Sequence, residues 1–321
     1  MGFIQHQVTP FFCRRSFSEK FNDTTSFITA NWRVLLKMTT IVLLPLAAIQ
    51  ALNVNGLMSS IYGDAVGGGS PENVATGLLL NYSSLMVFGL VATAMLISIV
   101  YGLMRMYHAT GNDGSPLHPN LNAITFAQFR PYMKGQMGRA WKSIGVMTLI
   151  GIAMLVLLVV LAVGIVAVFK SSSDAVLGVV FLLFIYIAMF ALLPPLMMVV
   201  PSYSFEQVGF FEGMKRGIVY GFKTWRGVFA VVFVFGLIIG MVSGFLSLPW
   251  MLLSVMKMVA ATGEANVSFA STMWFSFITY LCTLLYLYVC YLGYSAMLVA
   301  IAYQYGHAHE VVDGEDFDTE F

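Results

Sequence analysis

Charge is scarce in this chain. Asp, Glu, Lys and Arg make up 10% of its 321 residues, against about a quarter in soluble domains, which excludes an ordinary solvated surface. Cysteine is scarce too. Cys13, Cys282 and Cys290 cannot form a disulfide framework, and the last two sit in apolar sequence as small packing residues. The apolar runs themselves lack ionisable groups. His6, His108, His118, His307 and His309 all fall outside them, no Asp or Glu lies deep in one, and Lys37 is within snorkelling reach of an interface. A charge at the bilayer centre costs about 2.5–3.5 kcal/mol and is normally kept for proton relay, ion coupling or voltage sensing, so its absence argues against those mechanisms.

Catalytic patterns are missing as well. Gly240-Met241-Val242-Ser243-Gly244 has the outline of an intramembrane nucleophile motif, but it is one residue too long and no apolar run contains a His base. The histidines have no metal-ligand spacing, and Gly67-Gly68-Gly69 lacks the lysine and following helix of a phosphate loop. Neither an enzyme nor a cofactor is expected.

Long apolar runs are what the chain has. Apolar residues account for 59% of it, concentrated in six stretches, 34–52, 74–104, 144–169, 176–200, 228–255 and 269–303. Each matches or exceeds the roughly 20 residues that carry a helix across about 30 Å of hydrocarbon, and overlong stretches tilt or project. Continuous rather than alternating hydrophobicity selects helices over barrel strands. The expected fold is an all-α membrane protein of six transmembrane helices in three hairpins. Residues 1–33 hold Arg14, Arg15, Glu19, Lys20 and Asp23 without a cleavable leader pattern, so the first span is expected to serve as its own insertion signal.

Each hairpin is preceded by the same device. Phe17, Phe126 and Phe210 stand fifteen residues before Trp32-Arg33, Trp141-Lys142 and Trp225-Arg226, which marks repeat modules 17–104, 126–200 and 210–303 within one membrane domain, 1–305. Helical stripes accompany them: Phe17, Phe21, Ile28 and Trp32; then Phe126, Phe129, Met133, Met137 and Trp141; then Phe211, Met214, Ile218, Phe222 and Trp225. Such elbows are expected to lie in the cytoplasmic interface with their stripes among acyl chains. They either set helix depth and tilt alone or gather anionic lipid, for which Lys215, Arg216, Lys223 and Arg226 are the candidate contacts. Fourteen of the sixteen basic residues fall on one side, leaving Lys170 and Lys257 on the other, so both termini are expected in the cytoplasm.

Within the sixth run, Ser276, Tyr280, Thr283, Tyr286, Cys290 and Tyr294 recur at three or four residues. With Asn81 and Ser84 of the second run they form a candidate interior polar face, serving interhelical hydrogen bonds or, as an alternative, lining a cavity. Gly236, Gly240 and Gly244 read as a ridge for close helix approach, and Pro45, Pro194 and Pro195 as kinks. The acidic stretch 306–321 is expected to be a disordered tail.

The Trp-Arg elbows Asn31-Trp32-Arg33-Val34-Leu35 and Thr224-Trp225-Arg226-Gly227-Val228, with the polar start and six spans, resemble bacterial six-span integral membrane proteins of uncharacterised function. Some of these are similar to the membrane domain attached to glycerophosphodiester phosphodiesterases. The likeness covers about Phe17 to Tyr305, carries no functional residues, and brings no phosphodiesterase domain. Mitochondrial carriers share the threefold two-span layout, but their Pro-x-acidic-x-x-basic signature is absent after Pro45, Pro194 and Pro249. The expectation is a non-enzymatic scaffold in a bacterial cytoplasmic membrane, partnered by lipids and by a second copy or another protein, with no nucleic acid. A transporter of a neutral or amphipathic solute is the alternative.

Overall fold

A computed structural model describes residues 10–61, 70–109, 117, 121–168, 175–262 and 272–314. These residues form eight α-helices and a short 3-10 turn at Leu121–Ala123, with no strand among the described residues: α1 Phe17–Ser59, α2 Pro71–Tyr107, α3 Phe126–Val168, α4 Ala175–Leu196, α5 Val199–Phe205, α6 Phe210–Lys223, α7 Trp225–Thr262 and α8 Met273–Val312. Six segments are long and apolar enough to cross a membrane: α1, α2, α3, α4 with α5, α7 and α8. Their starts are written locally. Ser16 and Glu19 form a capping box at α1, Ser70 followed by Pro71 opens α2, and Thr272 caps α8.

The spans close a ring. Consecutive helices pack in order, α1 on α2, α2 on α3, α3 on α4, α4 on α7 and α7 on α8, and α8 returns to α1 while touching α2 across the ring. Packing is uneven along the ring axis. Every residue of α2 from Leu96 to Met104 and of α8 from Val299 to Gly306 is buried. These stretches lie at the end where residues 10–16 and α5–α6 also gather, hereafter the basic end. Toward the opposite end the α3–α4 pair is exposed along most of its length, with Leu155, Val160, Val163, Val176 and Phe184 all more than half exposed.

The elbows depart from expectation in two ways. In the first two modules they continue into their spans as single 43-residue helices, about 65 Å long. Only the third elbow, α6, is separate, ending at Thr224 before α7. The apolar stripe of the second elbow is also turned into protein: Phe129 and Met133 are buried, with Phe129 against Gly102 of α2. In α1 the buried face is Lys20, Thr24, Phe27, Asn31 and Met38, while Phe17 and Trp32 face outward. The stripe of α6 is likewise partly exposed, with Phe211 77% and Phe222 47% exposed. The elbow-to-span junction of α1 is wedged by Asn122, whose Oδ1 accepts from the Val34 N–H at 3.2 Å and whose Nδ2 donates to the Ala30 carbonyl at 2.6 Å. Those are the two groups that one helical turn would pair with each other.

The glycine ridge of α7, which reads as a packing surface within the chain or between copies, is not closely approached within the chain. A Cβ at Gly240 or Gly244 would meet nothing within 4 Å, and at Gly236 only the Met297 methyl at 3.9 Å. Close approach is made by α6 instead, where Gly213, Gly217 and Gly221 lie directly on Tyr203, on the Met198–Val199 backbone and on the Pro195 carbonyl. Pro194 and Pro195 do more than kink α4: the helix ends at Leu196 and restarts as α5.

The tail begins later than residue 306. Helix α8 runs to Val312, with Gly306 against the Phe11 carbonyl and with Ala308 and Val312 in the apolar cluster around Tyr220 and Tyr305. Residues 315–321, Gly67–Gly69, His6, His118 and Lys170 lie outside the described residues.

Candidate functional site

Polar side chains gather in two places, a seam between α1 and α8 and a junction at the basic end. In the seam, Gln50 of α1 is buried and accepts a hydrogen bond from the Tyr291 hydroxyl of α8. Gly89 of α2 lies beside this junction, facing Gln50 Nε2. The Asn55 amide donates to Thr283 Oγ1 at 3.2 Å, and the Thr40 and Tyr288 hydroxyls meet at 2.5 Å.

The expected polar face of the sixth span does not form one wall. Thr283 is buried toward α1 and donates to the Thr279 carbonyl at 2.7 Å. Tyr286 stacks on Trp250 of α7, its rings 6.2 Å apart, and Cys290 meets Ser243 of α7 at 3.5 Å. Tyr280 is half-buried and Tyr294 faces outward at 49% exposure. Asn81 lies against Gly56 and donates to the Gly77 carbonyl at 2.8 Å. Helices are therefore joined both by expected residues, Thr283 to α1 and Tyr286 and Cys290 to α7, and by Gln50, Thr40, Tyr288 and Tyr291, which the spacing does not mark. An isolated Gln in the first apolar run was the available signal, since an amide there needs a partner.

The basic-end junction is built around the end of α5. A helix leaves its last carbonyls without partners. Here Arg139 Nη1 donates to the Tyr203 carbonyl at 2.8 Å and also to that of Glu206. Arg105 Nη2 donates to Ser204 at 2.6 Å and to Phe205 at 3.2 Å, and Gln136 adds a bond to Ser204 at 3.3 Å. Two guanidiniums from α2 and α3 thus cap four consecutive carbonyls and answer the negative end of the helix. The Glu206 carboxylate accepts from the Tyr305 hydroxyl at 2.8 Å and from Ser202 at 3.2 Å, and faces Arg216 at 3.3 Å. Tyr220 donates to Asp313 at 2.8 Å, and burial followed by that bond pushes its phenol pKa up.

Residues 10–15 close this junction from the N-terminal side. Arg15 is buried, pairs with Asp23 at 2.7 Å, donates to the Phe11 carbonyl at 2.8 Å and lies 5.0 Å from the Tyr303 ring centre. Its backbone N–H donates to His307 Nδ1 at 2.9 Å, which requires that nitrogen unprotonated. His108 sits among Phe11, Tyr107 and Tyr303, and burial, reinforced by the Arg15 charge, pushes its pKa down to about 4. A group whose folded pKa lies below its unfolded value of about 6.5 stabilises the fold above that value and loses the contribution as pH falls through the folded pKa. The melting temperature in detergent is therefore expected to decline between about pH 6.5 and pH 4, and more shallowly in His108→Gln. Parallel pH profiles for the two proteins would contradict this account of His108.

Of the four cations expected to meet lipid, Lys215, Lys223 and Arg226 are exposed. Arg216 is half-exposed and pairs with Glu212 at 2.9 Å as well as with Glu206, contacts that push its guanidinium pKa up. No protein-family model, curated protein or solved structure matches the chain.

Proposed function

We propose that this protein is a non-enzymatic, lipid-associated scaffold of a bacterial cytoplasmic membrane, with its basic end and both termini on the cytoplasmic side. The observation that carries the reading is the solid basic half of the ring, where α2 and α8 are buried on all sides and α5 is locked by Arg105 and Arg139. A solute path through the ring would have to break that core. The concentration of fourteen basic residues at one side supports the orientation. A transporter of a neutral or amphipathic solute is the second reading, favoured by the exposed α3–α4 pair at the opposite end.

Single cysteines in a background lacking Cys13, Cys282 and Cys290 separate the two. With a membrane-impermeant thiol reagent, Lys223→Cys is expected to react only from the cytoplasmic side, whereas Ser98→Cys and Ser295→Cys, both buried, resist from either side. Reaction of Ser98→Cys and Ser295→Cys from both sides would replace the scaffold by an alternating-access device. Reaction of Lys223→Cys from outside would invert the topology.

A further inference from the structure

Some basic residues are held by the fold, and others are exposed on α1, α3, α6 and α7, Arg33 and Lys37 of α1 among them. Arg15, Arg105, Arg139 and Arg216 are engaged by carboxylates or carbonyls inside the fold. Arg33 and Lys37 are exposed on α1, and among the described residues neither has a carboxylate partner. They stand one helical turn apart, so their Cβ atoms are about 6 Å from each other on the same face.

Beside them the surface of α1 forms a shallow, open groove of about 350 Å³ whose lining, Trp32, Arg33, Leu36, Lys37, Thr40 and Ile41, comes from this one helix. Its order along the helix follows the order of a phospholipid. Arg33 and Trp32 lie at the mouth, with the guanidinium 5.4 Å from the indole ring centre. Trp32 is 51% exposed, in keeping with an indole at a headgroup boundary. Lys37 follows one turn deeper, within reach of the same headgroup layer by snorkelling. Leu36 and Ile41 continue as exposed apolar surface, and Ile41 lies about 12 Å beyond Arg33 along the helix. The Thr40 hydroxyl is turned to the Leu36 carbonyl at 2.6 Å and to Tyr288, so it presents no unpaired donor to an acyl chain. The Asn122 wedge at Ala30 and Val34 fixes the backbone immediately before the two cations.

We infer that this groove binds one anionic glycerophospholipid of the leaflet at the basic end. Its phosphodiester bridges Arg33 and Lys37, and an acyl chain lies along Leu36 and Ile41. Two unpaired cations above an apolar trough complement a negative headgroup carrying a hydrocarbon chain; a zwitterionic headgroup would bring its own ammonium toward the same pair. The inference rests on the lipid-associated reading, and it moves the lipid contact from the third elbow to the first.

The test uses the full chain purified in detergent and offered equimolar phosphatidylglycerol and phosphatidylcholine, with retained lipid read by native mass spectrometry. The wild type is expected to keep phosphatidylglycerol preferentially. Arg33→Gln with Lys37→Gln is expected to lower that preference by roughly tenfold or more, since each basic residue at an anionic surface contributes severalfold. Arg33→Lys with Lys37→Arg keeps both charges and should retain it, which distinguishes lost binding from lost folding. A control pair elsewhere at the basic end, Arg130→Gln with Lys134→Gln, should leave the preference unchanged. Equal retention of the two lipids by the wild type, or equal loss in the control pair, would overturn the site. Neither outcome bears on the cysteine-protection test, so failure of this inference and failure of the scaffold reading are distinguishable.

Discussion

Gly221→Ala is expected to lower the melting temperature in detergent by several degrees, whereas Gly240→Leu should leave it nearly unchanged. At Gly221 the added methyl would overlap the Pro195 carbonyl, and the obstruction is backbone, which cannot rotate aside. Alanine gains about 1 kcal/mol over glycine in helix propensity, but overpacking of this kind costs about 1–3 kcal/mol or more. Displacing α6 from the end of α4 would also strain the Tyr220–Asp313 and Arg216–Glu206 contacts that α6 makes. Gly217→Ala, which meets the Met198–Val199 backbone, should behave the same way. At Gly240 a side chain enters open space on the outer face of α7. Equal losses at Gly221 and Gly240 would return the close-approach ridge to α7, through a contact between copies of the chain.

These two ridges illustrate how far the sequence could be read. Both present glycine at four-residue spacing, and spacing shows that a backbone can be approached without showing that anything approaches it. The ridge on α7 stood out because it lies in an apolar run; that on α6 was overshadowed by the stripe Phe211, Met214, Ile218 and Phe222 on the same helix. The six spans were legible because hydropathy over 20 residues reports the solvent directly. Helix partners inside that solvent were not, because lipid and neighbouring helices are equally apolar. Phe129 and Met133 face protein and Phe211 faces outward, yet their stripes have the same period and composition.

The same limit applies to the polar groups. Tyr280, Thr283, Tyr286 and Tyr294 share a spacing, but the stripe is divided: Thr283 meets α1, Tyr286 meets α7 and Tyr294 faces outward. Gln50 and Tyr291 are linked across 241 positions of sequence, and Arg105 reaches Ser204 across 99. No local pattern records such pairings. Charge in short connections was counted as topology information, which concealed that four arginines there are committed to the fold.

Those arginines carry the other large effect. Arg105→Met or Arg139→Met alone is expected to destabilise the protein by about 2–3 kcal/mol, the cost of removing a charged donor from buried carbonyls. Methionine preserves much of the side-chain volume, so the loss reports the capped carbonyls rather than a cavity. The double variant should lose less than the sum. Both side chains hold the same four-residue end, Tyr203 to Glu206, and once one is gone the segment can loosen and let water reach the remaining carbonyls. Residues sharing one hydrogen-bond network typically couple by about 0.5–3 kcal/mol. Loosening would also free α6 to unwind, because α6 is seated on α5, and an unwound backbone at the already accessible Lys215 and Arg216 is a trypsin substrate. Limited trypsin digestion from the basic end should therefore cut both single variants and the double variant at α6 under conditions where the wild type stays intact. Additive melting shifts, or unaltered digestion, would mean that α5 is held by its glycine contacts with α6 and not by the two guanidiniums.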